Sequence, residues 1–159
     1  FDRHGIPQRR RPTTCGVAML DEETSFYDQI DAISDQDAKF KREAYFFIYS
    51  ALDHTVRKLK RDQEATAVSR HVTGQELCRG IAEYGRDQFG PMVQSVFEYW
   101  GITETVHFGE IVFSLVRNGL MSKTTEDRLE DFQNVYRFEE CFDPKVIQDE
   151  LRELDLHSF

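Results

Sequence analysis

Apolar residues recur at helical spacing along most of the chain after Asp21. Phe26, Ile30 and Ile33 stand at i, i+4 and i+7 and predict a short first helix, with Asp21, Glu22 and Glu23 at its start where acids suit the positive end of the helix dipole. Ala44, Phe47, Ile48, Ala51, Leu52, Val56 and Leu59 form a longer stripe. Arg57, Lys58, Lys60 and Arg61 fill its last turn, where cations complement the free carbonyls, so the longest helix is expected here. The polar run 62–70 breaks the period. Thr73-Gly74-Gln75-Glu76 then reads as a capping box, and Val72 and Leu77 sit where a hydrophobic staple would close the turn.

That helix continues through Leu77, Cys78, Ile81, Ala82 and Phe89 and stops at Gly90-Pro91. Met92, Val93, Val96, Phe97 and Trp100 mark the next one, closed by Gly101. Phe108, Ile111, Val112, Leu115 and Val116 mark a third, starting near Thr105 and ending at Gly119. Gly80, Gly85 and Gly109 fall inside helices, where each costs about 1 kcal/mol relative to Ala, and therefore point to close approach of another element. After Gly119 the period moves toward two. Phe132, Asn134, Tyr136 and Phe138 alternate with Gln133, Val135 and Arg137 and predict a strand returning from a hairpin. The alternative is a helical turn over 125–133 followed by an irregular aromatic arm. Asp143-Pro144 opens a final helix through Val146, Ile147, Leu151 and Leu154.

The expected fold is a mainly α, single helical domain over 19–159. It contains a winged-helix-like unit at 73–138, three helices plus a small β-hairpin, with extra helices on either side. Residues 1–18 hold Arg3, Arg9, Arg10 and Arg11 against Asp2, with Pro7 and Pro12 and no apolar period. They read as a basic, loose extension lying ahead of Met19.

Charge narrows the choice of partner. Of 20 basic and 29 acidic residues, four and one lie in that extension, which leaves 16 against 28 for the body. Between Thr73 and Phe138, six basic residues face ten acids. Duplex DNA draws most of its non-specific affinity from Lys and Arg on phosphates, and a module this acidic is unsuited to it. The concentrated basic patch is Arg57, Lys58, Lys60 and Arg61, joined across the polar run by Arg70 and His71. It is either a helix end neutralising its own dipole or a site for an anionic partner such as RNA or the ribosome. Tyr99 and Trp100 beside the Gly101 cap are the candidate protein interface, unless the Trp is simply core.

Catalytic and metal chemistry find little support. His4, His54, His71, His107 and His157 are isolated, and His107 with Glu110 at i+3 is a single half-pair with no second. Cys15, Cys78 and Cys141 are odd in number and outside any C-x-x-C spacing, so they read as free thiols. No phosphate loop, nucleophile elbow or dinucleotide fingerprint occurs. No cofactor and no catalytic residue are therefore expected. No run of apolar residues reaches the length of a membrane span, and no secretory leader precedes the first helix, which together suggest a cytoplasmic protein.

Arg70-His71-Val72-Thr73-Gly74-Gln75-Glu76-Leu77, Gln88-Phe89-Gly90-Pro91-Met92, Phe108-Gly109-Glu110-Ile111-Val112-Phe113 and Asp131-Phe132-Gln133-Asn134-Val135-Tyr136-Arg137-Phe138 follow one another in order. Over Phe26 to Phe142 the chain resembles a small family of uncharacterised bacterial proteins. The resemblance implies a bacterial cytosolic protein and brings no activity or site residue with it. The function expected from the sequence is a non-enzymatic protein-binding module; the alternative is association with nucleic acid or the ribosome through the basic patch.

Overall fold

A computed structural model describes residues 1–3, 18–62 and 71–157, and they are mainly helical. The long apolar stripe becomes α2 (Arg42–Asp62), 21 residues long, and α1 (Ala18–Gln36) lies against it. α3 (Gly74–Phe89) starts as the capping signals require, with Thr73 Oγ1 accepting from the Glu76 amide at 3.2 Å. A 3₁₀ turn at Gly90–Met92 leads into α4 (Val93–Tyr99), followed by α5 (Thr105–Arg117). A four-residue α6 (Phe138–Cys141) precedes α7 (Pro144–His157).

α2 is the central element. Ala44, Tyr45, Phe47, Ile48, Tyr49, Ala51, Leu52 and Thr55 are all buried, and α1, α3 and α5 pack around it. The apolar side chains sort into one core because the polar positions of each helix fall on its outer face. Rings make up much of it: Phe97 has Phe47, Phe108, Phe138, Phe142 and Trp100 within 6.0 Å, centroid to centroid.

The predicted hairpin is corrected. The stretch 120–138 supplies one two-residue strand, β2 (Met121–Ser122), and its antiparallel partner is β1 (Asp2–Arg3), with Asp2 opposite Ser122 and Arg3 opposite Met121. Leu129–Phe132 is a 3₁₀ turn, and the residues up to Phe138 run as an irregular arm. Side chains take the bonds a ladder would have taken. Thr105 Oγ1 donates to the Phe132 carbonyl at 2.6 Å and accepts from the Val135 amide at 3.2 Å, while Asn134 sits at a φ of 50° that no strand allows. Tyr136 reaches across to donate to the Cys78 carbonyl at 2.8 Å. A wing is therefore not formed by these residues. Of the basic first segment, Phe1 is fully buried and Asp2–Arg3 form β1, while residues 4–17, with Cys15, lie outside the described residues.

The interior glycines behave as their cost implies. A Cβ on Gly109 would stand 2.7 Å from Phe132 Cγ, so the aromatic arm docks on α5 through that gap. A Cβ on Gly80 would meet Thr55 Oγ1 at 1.9 Å and both Thr55 Cβ and Cγ2 at 2.9 Å, which means no rotation of the threonine relieves the clash. Gly80→Ala should therefore destabilise the protein by about 1–3 kcal/mol through overpacking, although Ala is the better helix former by about 1 kcal/mol. Urea denaturation followed by circular dichroism measures it; an unchanged or raised midpoint would show that α2 and α3 are not held at this distance.

Candidate functional site

The described residues of the basic patch go to different surroundings. Arg57 is 71% exposed and pairs with Asp53 at 3.0 Å, one turn back on α2. Lys58 pairs with Glu83 of α3, and that hydrogen bond, ahead of the burial that opposes it, holds the Glu83 carboxyl below its ordinary range. Arg70 and the side chain of Arg61 lie outside the described residues. Lys60 and His71 do meet, on one cleft. Of the candidate interface pair, Tyr99 is 71% exposed, with Lys41 Nζ 5.2 Å from its ring centre, whereas Trp100 is core, 8% exposed and packed on Phe47, Phe89 and Phe97.

The cleft at Lys60 and His71 has a volume of about 270 Å³ and is completed by Asp2, Val56, Ser122, Lys123 and Thr124. Behind it stands Asp127, 6% exposed. His71 Nε2 lies 2.9 Å from Asp127 Oδ2 and 3.0 Å from Oδ1, and the Thr124 amide donates to Oδ2 at 2.9 Å. Asp127 thus closes its own turn and fixes the histidine. Burial pushes its carboxyl up, but the hydrogen bonds from His71 and the Thr124 amide lower it and leave it below the ordinary carboxylate value.

Phe1 fills the inner end. Its backbone nitrogen donates to the Val72 carbonyl at 2.8 Å and lies 2.9 Å and 3.0 Å from the two ring nitrogens of His71. A histidine held by a buried carboxylate is a common way to orient a base. Here Nε2 is committed to the Asp127 carboxylate. The hydroxyls beside it are committed as well: Ser122 Oγ donates to the Asp2 carbonyl at 3.3 Å and Thr124 Oγ1 to Asp127 at 3.4 Å. The arrangement fixes the orientation of the ring.

Burial pushes Cys78 up to about 12 and raises Cys141, so neither thiol is a ready nucleophile. His107 and Glu110 go to different partners: the ring accepts from the Thr103 amide at 3.0 Å, and the carboxylate pairs with Lys39 at 2.6 Å. No group of three or more His, Cys, Asp or Glu able to hold a metal occurs among the described residues.

A second concavity, about 510 Å³, runs between α3 and α7. Ala82, Tyr136 and Cys141 form its floor, and Leu151 and Leu154 of α7, 45% and 66% exposed, form one wall. Arg86 of α3 pairs with Glu150 of α7 across it, a link that holds the two helices in place while leaving the leucines in solvent.

Sequence reading found Lys60 and His71 and missed their partners. Asp127 was one acid among several in a polar run, and Lys123 one cation in a presumed wing. What brings them to His71 is the docking of the arm through Gly109, which no periodicity reports.

Asp127 gives the cleft a pH signature. A carboxyl whose folded pKa is lowered contributes stability above its unfolded value, near 4, and loses it as pH falls through the folded value. Asp127→Asn should cost about 1–3 kcal/mol at pH 7, and the gap from the unaltered protein should close below about pH 4. Chemical denaturation of both proteins from pH 7 down to pH 3 decides it; a gap that does not narrow at all as the pH falls below about 4 would assign the loss to packing instead of charge. No family model, no curated protein and no solved structure matches the chain, so the chemistry of these sites is read from their own residues.

Proposed function

We propose that the chain is a cytoplasmic, non-enzymatic protein-binding module, and that the concavity between α3 and α7 takes a short apolar stretch of its partner. The observation that supports this reading most directly is the exposure of Leu151 and Leu154 on the wall of a groove whose floor is also largely apolar. Two leucines held in water forgo roughly 25 cal/mol per Å² of apolar surface that a partner would cover, and a groove flanked by charged residues of both signs suits an amphipathic helix. No helix among the described residues is long and apolar enough to cross a membrane.

The nucleic-acid or ribosome reading draws less support. Two of its cations are matched by Asp53 and Glu83, and the chain as a whole carries a formal charge of -9.

The double variant Leu151→Glu/Leu154→Glu should melt within a few degrees of the unaltered protein, since exposed positions away from special features change stability by about 0.5 kcal/mol or less. It should lose any partner that a photo-crosslinker at Arg79 captures from the native cell. Capture undiminished by the double variant would remove the groove from the function, and co-sedimentation with ribosomes that survives moderate salt would favour the other reading.

A further inference from the structure

Residues Phe1–Arg3 sit on the rest of the fold as a bound peptide sits on its receptor. The Phe1 ring is fully buried, with the rings of Phe132, Phe113 and His71 centred 5.5, 5.9 and 6.3 Å away. Its nitrogen donates to the Val72 carbonyl, and the next two residues pair with β2 as an added antiparallel strand. The partners lie 70 or more positions along the chain, so local sequence does not dictate the arrangement. A ring in a pocket followed by main-chain pairing to a short strand is the way extended peptides are held by strand addition.

The position after the ring is distinctive. Asp2 lines the same cleft as Lys60 and Lys123, and neither lysine has an ion pair among the described residues. Lys123 also donates to the Thr124 carbonyl at 3.3 Å, so the lysines flank the second position as fixed positive charge. The walls of the cleft are also fixed in advance, by Asp127 on the 124–127 turn and on His71. Opposite charge at the second position would favour an acidic side chain and penalise a basic one.

We propose that this is a docking site for an extended peptide that presents an aromatic residue followed by an acidic one, and that Phe1–Asp2 occupies it in cis. The site shares no lining residue with the α3–α7 groove, so it stands or falls separately from the function proposed above. Because a tethered occupant works at a high effective concentration, it excludes the same sequence offered from solution. Ring burial and strand pairing supply the attraction, and the lysines supply the preference.

The test uses the full chain and a synthetic probe, Phe-Asp-Arg-Ser-Gly-Ser, carrying a fluorophore at its carboxyl end and read by anisotropy. Phe1→Ala should bind the probe saturably, and the unaltered chain at least ten-fold more weakly. A probe with Ala for Phe, or with Lys for Asp, should lose about ten-fold or more, and so should the intact probe against Phe1→Ala/Lys60→Ala/Lys123→Ala, with the lysine-dependent part fading as salt rises. A folded Phe1→Ala protein that ignores the probe at millimolar concentration, or binds all probes alike, overturns the proposal. If Phe1→Ala does not fold, the intact probe should restore a cooperative melt, as any ligand specific to the native state does. Failure to restore it while the other probes also fail counts as decisively against the site.

Discussion

The distance between α2 and α3 is the constraint on which the other arrangements depend. Gly80 lets the two backbones approach until Thr55 occupies the space that a side chain at residue 80 would need, and Thr55 Oγ1 turns back to the Ala51 carbonyl at 2.7 Å so that the hydroxyl is not orphaned in the contact. Polar satisfaction at the tightest point of the interface is what makes so close an approach affordable in a dry core. From that contact follow the place of Lys60 at the end of α2 and of His71 just before α3, and hence the cleft between them.

The helices were legible in the sequence because each one satisfies its backbone internally and advertises its buried face through a 3.6-residue period. α2 is the longest of the described helices, α3 opens on Thr73 with the predicted cap, and Gly80 and Gly109 mark close approach as their cost within a helix implied. The stretch 125–138 reads either as a strand returning from a hairpin or as a helical turn with an irregular aromatic arm, and the structure takes the second. Its alternating aromatics obey the period of a strand, but Phe132 goes to Gly109 and Gly74, Phe138 to Phe97 and Phe108, and Tyr136 to the Cys78 carbonyl. Alternation reports which side chains are buried; it does not report whether the backbone finds a partner strand or a threonine hydroxyl. Trp100 shows the same limit, since a ring beside a helix cap can turn either way and only the neighbouring rings of Phe47, Phe89 and Phe97 decide.

Charge shows why a patch in sequence is not a patch in space. Arg57, Lys58 and Lys60 are near neighbours in the chain, yet on a helix they point in different directions, and each meets a different environment: Asp53 on the same helix, Glu83 on the next, and an open cleft. Exposed pairs of this kind contribute roughly 0–1 kcal/mol each. Which surface a cation faces therefore matters more than the density of basic residues along the chain.

Both concavities border the irregular stretch from Leu120 to Phe142. Met121–Ser122 presents a strand edge that β1 covers, Thr124 and Asp127 brace the cleft, and Tyr136 and Cys141 floor the groove under α7. A regular hairpin here would have used its main-chain groups on itself and turned alternate side chains to solvent. Because Thr105, Asp127 and the arm's own turns satisfy that backbone instead, the Met121–Ser122 edge is left for β1 to pair with and the apolar floor faces outward between helices. Surfaces for recognition arise in this protein where periodic structure stops but hydrogen bonding does not, which is also where a period-based reading of the chain has least to say.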